Sequence, residues 1–589
     1  MSTSTERRPA RRRDLRGAGR PAVVLAVVAL LALLTGCGSG NSGAAGVPTQ
    51  TGEADSGVDG VRAPSEATGG TLRLVAGDID SLDPQRSYVP GVWNLMRLYI
   101  RTLVTYSSEP GRTDELVPDL ATDLGTTPDG GRTWTFTLKA GVRFETGRDI
   151  TSRDVKYGIE RSFASDVITG GPNYVLDLLD TEDVYAGPYQ DEAPDKLGLS
   201  SIATPDDTTI TFTLSTPTPD FPFVMALPSS SPVPVENDAG AAYGGDPVSS
   251  GPYVVTSADP SIGVVLDRNP QWDPATDAVR TALPDQVVVR SGLSAVARDQ
   301  ALLAGSADAD LSGTGVQQVT TSRLDGDELT GRIDDVTTGS LRLLALPTTV
   351  APMDNADCRA AVAAAVDRGA VQEALGGPGN VVRSSLLWPR ALAGGPEDPD
   401  PGPDLAAARA SLTACGKPDG FSTVLAVPDA PNTVAVANAI ADDLAEVGIA
   451  AEVRPLDPST YYASDVGDPG NVTAQGYGIV LATWTADFPT SASFLVPLVD
   501  GRSLRAVGNT NYARLADPGV NGLVDAARAA TDPAAAAGAW RQVVTAVDAT
   551  HVYVPLAENR VQLLAGQRLR NGVVMQPYGG YDVVTAGVS

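Results

Sequence analysis

The sequence predicts an α/β protein of two lobes with an attached β-rich subdomain. The chain has 589 residues, more than one hydrophobic core normally holds, and 42% of them are hydrophobic. Its first half contains short stretches of alternating apolar and polar residues, which are typical of half-buried strands. Its second half alternates apolar strands with amphipathic helices, the order expected of a parallel sheet covered by helices.

In the first half we expect four strands and one helix. The strands are 71–76, 133–138, 142–144 and 210–214. Residues 142–144 follow the turn Ala140-Gly141, so we expect them to form a hairpin with 133–138. The helix begins at Thr151, where Asp154 stands three residues on and makes a weak capping box.

In the second half the predicted strands are 421–427, 449–453 and 477–483, and the predicted helices are 359–375, 437–447 and 534–549. Residues 477–483 (YGIVLAT) are almost continuously apolar. Such a run is typical of a strand that is buried on both faces of a parallel sheet.

The N-terminus has the pattern of an export signal. Seven arginines precede an apolar stretch at 21–34, which is short for a membrane span and suited to a signal peptide. The following Leu34-Thr35-Gly36-Cys37 resembles the lipobox of bacterial lipoproteins. We therefore expect 1–36 to be a lipoprotein signal peptide and Cys37 to carry the lipid. An ordinary signal peptide or a signal-anchor with an incidental cysteine is the alternative, and the export route, Sec or twin-arginine, stays open.

Residues 37–70 are rich in Gly, Ser, Ala, Thr and acids without apolar periodicity, so they are expected to be a disordered tether. The net charge of −28 disfavours a nucleic-acid partner, because phosphate backbones would be repelled. The sequence has neither a further apolar run of membrane length nor a P-loop motif, which excludes a permease and an ATPase.

The remaining cysteines and the single histidine bear on redox state and catalysis. Cys358 and Cys415 form either a disulfide, which an exported protein permits, or two buried free thiols. His551 is the only histidine and precedes an apolar run, so it is expected to be structural. A Ser-His-Asp relay or a histidine-rich metal site is therefore not expected. We expect no enzyme, no metal and no cofactor, although catalysis by carboxylates alone stays open.

Several blocks of sequence resemble one known family, the bacterial extracellular solute-binding proteins of family 5. They occur in family order at 116–121, 133–144, 150–161, 250–253, 266–272, 357–368, 484–489, 511–512 and 520–526. The resemblance implies a two-lobed periplasmic-binding-protein-like fold with a hinge, an inserted β-rich subdomain, and a ligand held between the lobes.

On this basis we expect the following division. Lobe I comprises 71–102, 202–305 and 556–589, subdomain II comprises 103–201, and lobe III comprises 306–555.

The expected ligand site follows the strand 477–483. Ligands bind beyond the carboxyl ends of parallel strands, and Trp484 and Asp487 come directly after this one. In peptide-binding members the resemblance implies that an Asp at this Trp-x-x-Asp position holds the α-amino group of the peptide. The alternatives are a turn-forming Asp487 and a Trp484 that belongs to the core.

Three neighbours complete the expected site. They are Thr483, Phe488 and Tyr174. The sequence departs from the family in having Thr483 where a glycine is usual. It also has Leu481 where some oligopeptide binders carry an arginine that meets the peptide carboxylate.

The function expected from the sequence is that of a solute-binding lipoprotein on the outer face of the cell membrane. It would deliver a small ligand, in the first place a peptide, to the permease and ATPase of an ABC importer, and act as a monomer. The alternatives are a binding protein for a non-peptide solute (an opine, a sugar or a chelated metal), a binding protein that only signals, and a secreted hydrolase.

Overall fold

The computed structural model describes residues 54–179, 185–259, 263–321, 331–505, 508–530 and 532–589. The predicted signal peptide, Cys37 and the first part of the predicted tether lie outside these residues. Within the described ranges, none of the helices combines the length and the apolar character that a membrane span requires.

Strands and short β-segments are numbered in chain order. They are β1 Thr71–Val75, β2 Val104–Tyr106, β3 Leu116–Pro118, β4 Thr133–Thr137, β5 Ile202–Ala203, β6 Thr209–Thr213, β7 Tyr253–Asp259, β8 Gly263–Arg268, β9 Gln286–Arg290, β10 Ala309–Asp310, β11 Ile333–Ala345, β12 Val381–Arg383, β13 Phe421–Pro428, β14 Ile449–Leu456, β15 Tyr477–Trp484, β16 Tyr553–Leu564, β17 Leu569–Arg570, β18 Val574–Met575, β19 Gly580–Tyr581 and β20 Gly587–Val588.

The α-helices are numbered in the same way. They are α1 Pro90–Met96, α2 Ser152–Arg161, α3 Tyr174–Leu178, α4 Phe221–Val224, α5 Ala295–Leu303, α6 Gln318–Thr321, α7 Ala356–Ala365, α8 Arg368–Ala374, α9 Leu405–Ala414, α10 Pro431–Ala445, α11 Pro469–Gln475, α12 Ser491–Val499, α13 Pro518–Ala529 and α14 Pro533–Asp548.

Lobe I is built around a five-stranded sheet with the order β10-β1-β9-β8-β7. The first strand, β1, runs parallel to both β10 and β9, while β8 is antiparallel to β9 and to β7. Leu72 and Leu74 of β1 are fully buried between these neighbours, and Arg73 between them is exposed. The alternation that predicted this strand therefore reflects burial of one face along most of β1, while Val75 at its end is buried in a smaller core on the other face.

Lobe III is built around a six-stranded sheet with the order β12-β16-β11-β15-β13-β14. β13 runs parallel to β14 and β15, whereas β11 is antiparallel to β15 and β16, so the sheet is mixed. On β15, Val480 and Ala482 enter one apolar core, and Ile479 and Leu481 enter the core on the opposite face. Burial on both faces explains the continuous apolar run, and the α/β fold class is confirmed.

Subdomain II contains the three-stranded sheet β4-β6-β5, which corrects one pairing. β4 pairs with β6, placing Trp134 opposite Phe212, and not with residues 142–144, which form no strand. Local sequence proximity favoured the hairpin. The distant strand instead offers a matching apolar face, and Phe144 is buried in the core without joining the ladder.

The expected boundaries between the lobes are also shifted. β5 and β6 belong to the sheet of subdomain II, although 202–213 were expected in lobe I. β10 pairs with β1 of lobe I, although 309–310 were expected in lobe III. β16 stays in the lobe III sheet up to Leu564, beyond the expected boundary at 555. In each case strand pairing assigns these residues to a part of the molecule other than the one expected.

The helices follow the sequence with one interruption. Thr151 caps α2, and its capping box with Asp154 is present. The predicted helix 359–375 is instead two helices, α7 and α8, because Val366 and Asp367 are extended. The Asp367 carboxylate accepts a hydrogen bond of 2.7 Å from the Gly369 amide, which starts the second helix.

Residues 54–70 pack against the folded body, so the expected tether is wrong for this part of the chain. The Arg62 side chain is buried and forms an ion pair of 2.8 Å with Asp334 of β11. The Gly57 amide and the Tyr581 hydroxyl also donate to the Asp334 carboxylate. A buried charge needs such partners, and the polar composition of 54–70 conceals this anchoring role.

Cys358 and Cys415 are joined in a disulfide with a Cα–Cα distance of 5.3 Å. Cys358 lies in α7, and Cys415 follows directly after α9. The bond therefore joins two helices that pack against one face of the lobe III sheet.

Candidate functional site

Three parallel strands, β13, β14 and β15, end at the same edge of the lobe III sheet. β15 lies between β13 and β11, and residues 485–490 leave it to reach α12. In sheets of this kind, ligands bind beyond the carboxyl ends of the strands. The segment after β15 is therefore the first place to look for a site.

The two residues that close β15 are engaged by the lobe itself. The Trp484 indole N–H donates a hydrogen bond of 2.8 Å to the Phe494 carbonyl, and its ring packs against the lobe core. The Thr483 amide donates to the Tyr462 hydroxyl at 3.1 Å. The ring of Trp484 thus packs on the lobe core while it remains partly exposed, and both its expected ligand contact and the core alternative stay predictions.

Asp487 is the point at which three parts of the molecule meet. Its Oδ2 accepts a hydrogen bond of 3.0 Å from the hydroxyl of Tyr88, in the lobe I segment between β1 and α1. The same oxygen accepts a hydrogen bond from the hydroxyl of Tyr174, the first residue of α3 in subdomain II. The loop after β15 places this carboxylate between lobe III and the other two parts.

Both tyrosines remain protonated donors toward this carboxylate. Burial raises the pKa of the Tyr88 hydroxyl, and the Asp487 charge raises it further. The pKa of Tyr174 is raised by the same two causes in the same order. A tyrosinate beside Asp487 would repel the carboxylate. Both hydroxyls therefore stay protonated and donate hydrogen bonds at physiological pH.

Phe488 connects the lobes through its ring. It stacks on Phe223 with ring centres 5.7 Å apart and an angle of 12°, and it meets Tyr174 with centres 5.4 Å apart. Only 7% of Phe488 is exposed. In this arrangement Phe488 makes an aromatic contact between lobe III and the residues facing it, and its expected ligand contact stays a prediction.

A second polar contact crosses the same boundary. The Thr490 hydroxyl, at the N-cap of α12, donates a hydrogen bond of 2.6 Å to Asp220 Oδ2. Burial raises the pKa of the Asp220 carboxyl, and the bond from Thr490 opposes that effect. Two carboxylates, one on each side of the boundary, thus accept hydrogen bonds across it, and Arg505 of lobe III also pairs with Asp177 of α3 at 3.6 Å.

Two cavities border this contact region. A cavity of about 60 Å³ lies against Asp487, between Thr338 and Gly339 of β11 and the loop after β15. A larger one of about 200 Å³ lies behind Tyr174 and Phe488 and is lined by Asp220, Val496 and Trp540. Pockets that hold small ligands usually measure about 300–1,000 Å³, so a ligand of that size would need the lobes to separate.

Sequence reasoning identified Asp487 and Tyr174, which the structure brings together, but missed Tyr88, Asp220 and Thr490. These three stand in loops without a recognisable motif, and only the approach of the lobes gives them a role. In the described part of the chain, no group of three or more His, Cys, Asp or Glu side chains is arranged to hold a metal ion.

The chain resembles known proteins both in sequence and in structure. The model of the bacterial extracellular solute-binding proteins of family 5 matches residues 115–504. A solved structure of a clavulanic acid biosynthesis oligopeptide binding protein 2 is 42% identical, with a TM-score of 0.87. The match covers 92% of this chain and all of that one.

Two curated relatives are more distant. The heme-binding protein A of Haemophilus influenzae is 26% identical over 77% of this chain and 81% of its own length. A probable D,D-dipeptide-binding periplasmic protein of Escherichia coli is 24% identical over 85% of this chain and 90% of its own.

Proposed function

The chain belongs to the bacterial extracellular solute-binding proteins of family 5, and from this premise we propose that it captures a short peptide and delivers it to an ABC importer. Members of this family bind solutes outside the cytoplasm and serve importers without catalysing a reaction. We propose three things of this chain: its ligand is a peptide, Cys37 carries a lipid anchor, and its partners are a permease and an ATPase.

The observation that carries the proposal is the half-satisfied carboxylate of Asp487. Its Oδ2 accepts from Tyr88 and Tyr174, while no hydrogen bond reaches its Oδ1 from the residues that the structure describes. An ammonium group has three donors and a positive charge, and it forms with a carboxylate a stronger bond than a neutral hydroxyl does. The α-amino group of a peptide supplies that ammonium.

Binding then exchanges the hydrogen-bond donors of Asp487 as the lobes open and close. With the lobes apart, the hydroxyls of Tyr88 and Tyr174 leave Asp487, and the ligand ammonium takes their place or joins them. When the lobes close over the ligand, water is excluded and the ion pair strengthens, because the local dielectric constant falls. The aromatic contacts of Phe488 with Phe223 and Tyr174 are positioned to reform around the closed state.

The comparisons support a peptide as the ligand class without naming one. The 42% identical structure is that of a protein named for oligopeptide binding, and one curated relative is named for a D,D-dipeptide. The heme-binding name of another relative shows that the family also takes other solutes. A non-peptide solute is therefore the result that the experiment must be able to reveal.

The experiment has two stages. Purified protein is denatured, and the small molecules released are identified by mass spectrometry. Calorimetry then compares tripeptides that have a free amino terminus with the same peptides after N-acetylation. We expect the free peptides to bind at least about tenfold more tightly, since acetylation removes the charge that meets Asp487.

Three results would contradict the proposal. Equal affinity for free and acetylated peptides would remove the ammonium from the mechanism. A co-purifying solute without an amino group, together with no peptide binding, would replace the peptide by that solute. Cleavage of the peptides during incubation would mean that the protein is an enzyme.

A further inference from the structure

The cavity of about 200 Å³ behind Tyr174 and Phe488 is separate from the place where Asp487 would hold a ligand. Lobe III forms one of its sides with the helices α12, α13 and α14, and the opposite side comes from α3 and from residues 218–224. Phe488 lines both cavities, whereas Asp487 lines the smaller one. The ring of Phe488 therefore stands between the two spaces.

Most of the wall of this larger cavity is apolar. The apolar side chains on the wall include Leu178, Val224, Val496, Pro497 and Trp540. Transfer of an apolar group from water to such a wall is favourable, because its apolar surface leaves water. The cavity is therefore suited to the apolar part of a small molecule.

Asp220 adds a carboxylate to this wall. Its Oδ2 accepts the hydrogen bond of 2.6 Å from Thr490. Its Oδ1 receives no hydrogen bond from the residues that the structure describes, and that oxygen is not enclosed by them. A carboxylate that is partly removed from water is stabilised by a donor that carries a positive charge. The free oxygen of Asp220 thus favours an ammonium group in the cavity.

Arg528 adds a guanidinium group to the same wall. It lies in the last turn of α13, where the helix dipole favours a cation. Across the described ranges it neither donates a hydrogen bond nor pairs with a carboxylate, although its charge acts on Asp220 and Asp500. Asp500 is itself held by Arg502 at 2.8 Å. The planar fork of Arg528 is therefore available to a carboxylate from outside the chain.

The volume limits the size of an occupant. A cavity of this size holds about eight or nine non-hydrogen atoms, since an apolar cavity of about 150 Å³ holds benzene with its six carbon atoms. Valine and leucine have this size, and each carries an ammonium group, a carboxylate and an apolar side chain. A tripeptide exceeds the volume.

We propose that this cavity is a second binding site, which takes a free amino acid with a small apolar side chain, such as valine or leucine. Asp220 receives the ammonium group, Arg528 receives the carboxylate, and the side chain lies against Val496 and Trp540. Because the walls belong to lobe III and to the parts that face it, the bound amino acid holds these parts together. The site does not depend on whether the cleft takes a peptide.

Calorimetry of the wild-type protein with free L-leucine tests this assignment. Leucinamide, which lacks the carboxylate, and N-acetylleucine, which lacks the ammonium group, are the matched ligands. We expect leucine to bind about 10- to 100-fold more tightly than either analogue, because each analogue loses one charge-assisted interaction. Trialanine at a saturating concentration should not displace leucine, because the two sites lie on different sides of Phe488.

Two variants separate the roles of the charged residues. Arg528→Gln should bring the affinities for leucine and leucinamide within about threefold and keep the preference over N-acetylleucine. Asp220→Asn should do the reverse. Arg454→Gln is the matched control, since Arg454 lies on β14 and pairs with Glu452 at 2.7 Å, so both preferences should persist. Melting temperatures verify that each variant is folded.

Several results would overturn the second site. Absence of leucine binding to the wild type, or equal binding of leucine and both analogues, would reject an amino-acid site in this cavity. Displacement of leucine by trialanine would place both ligands in the cleft. Unchanged preferences in Arg528→Gln and Asp220→Asn would remove these two residues from the site. Failure of trialanine to bind would contradict the proposed function alone, and the leucine measurements would still decide the second site.

Discussion

The hydroxyl of Tyr88 donates a hydrogen bond of 3.0 Å to the Oδ2 of Asp487, two residues that lie 399 positions apart. This bond joins lobe I to lobe III at the edge where β15 ends. Tyr174 of subdomain II donates to the same oxygen, so one carboxylate is held by both facing parts of the molecule. The contact that bridges the lobes and the proposed ligand contact therefore use the same group.

Replacing Asp487 by asparagine should weaken peptide binding while leaving stability almost unchanged. The amide keeps an acceptor for the tyrosine hydroxyls but loses the charge that attracts an ammonium. We expect the Kd for a free tripeptide to rise about 10- to 100-fold. Calorimetry gives the affinity, and the Tm should move by no more than about 2 °C.

Asp419→Asn is a suitable control for this substitution, because Asp419 is exposed at the other end of β13. Equal affinities of Asp487→Asn and Asp419→Asn would exclude Asp487 from the site.

Replacing Tyr174 by phenylalanine should favour separation of the lobes. The ring keeps its contact with Phe488, but the hydroxyl that holds Asp487 is lost. Small-angle X-ray scattering of the ligand-free variant should give a larger radius of gyration than the wild type, and a bound peptide should remove the difference. Tyr253→Phe controls for the loss of a hydroxyl, since Tyr253 bonds to Pro284 within lobe I. Identical scattering of Tyr174→Phe and the wild type would contradict this role.

Glu160 of subdomain II should make stability depend on pH. Burial raises the pKa of its carboxyl from 4.5 to about 7, although the Leu199 amide and Lys156 oppose the shift. The folded state thus binds the proton more tightly than the unfolded chain does. Its contribution to the free energy of unfolding is complete below pH 4.5 and is lost as the pH rises through 7.

Urea unfolding across this pH range measures the effect. Glu160→Gln cannot ionise, so the wild type should lose about 3 kcal/mol relative to the variant as Glu160 becomes charged. Glu109→Gln, an exposed position, gives the background for an amide substitution. If the wild type and Glu160→Gln run parallel from pH 4.5 to 8, Glu160 does not carry the dependence.

Cys37 should determine where the protein is found. Without its thiol no lipid can be attached, so Cys37→Ala should appear in the culture medium and should fail to incorporate radiolabelled palmitate. Cys358→Ala together with Cys415→Ala removes two cysteines of lobe III and should leave the protein on the membrane. Membrane retention of Cys37→Ala would show that another feature holds the chain.

The sequence predicted those parts of the fold whose signals are local. The apolar run of β15 needs burial on both faces, and Thr151 with Asp154 needs only one helical turn to be recognised. The partner of β4 could not be found in this way, because β6 lies more than seventy residues away and competes with the closer 142–144. Pairing over such distances is decided by the packing of both faces, which a local pattern does not contain.

The candidate site likewise contains residues that a local pattern reveals and residues that it does not. Asp487 was found because it follows a strand at the edge where ligands bind, with a motif to mark it. Tyr88 and Asp220 have no such marker, since each stands outside the helices and strands in a segment without a recognisable motif. Each gains a role only because a residue of lobe III lies within hydrogen-bonding distance across the boundary.

Asp334 gathers Gly57, Arg62 and Tyr581 around one buried carboxylate. Because Gly57 and Arg62 are synthesised near the start of the chain and Tyr581 near its end, this junction can be completed only after almost the whole chain has left the ribosome. Until then the Asp334 carboxylate lacks the hydroxyl of Tyr581 and stays in contact with water. Chaperones would therefore meet a chain whose two ends are not yet joined, and an expression fragment that starts at residue 71 would lack Gly57 and Arg62 and could not form this junction.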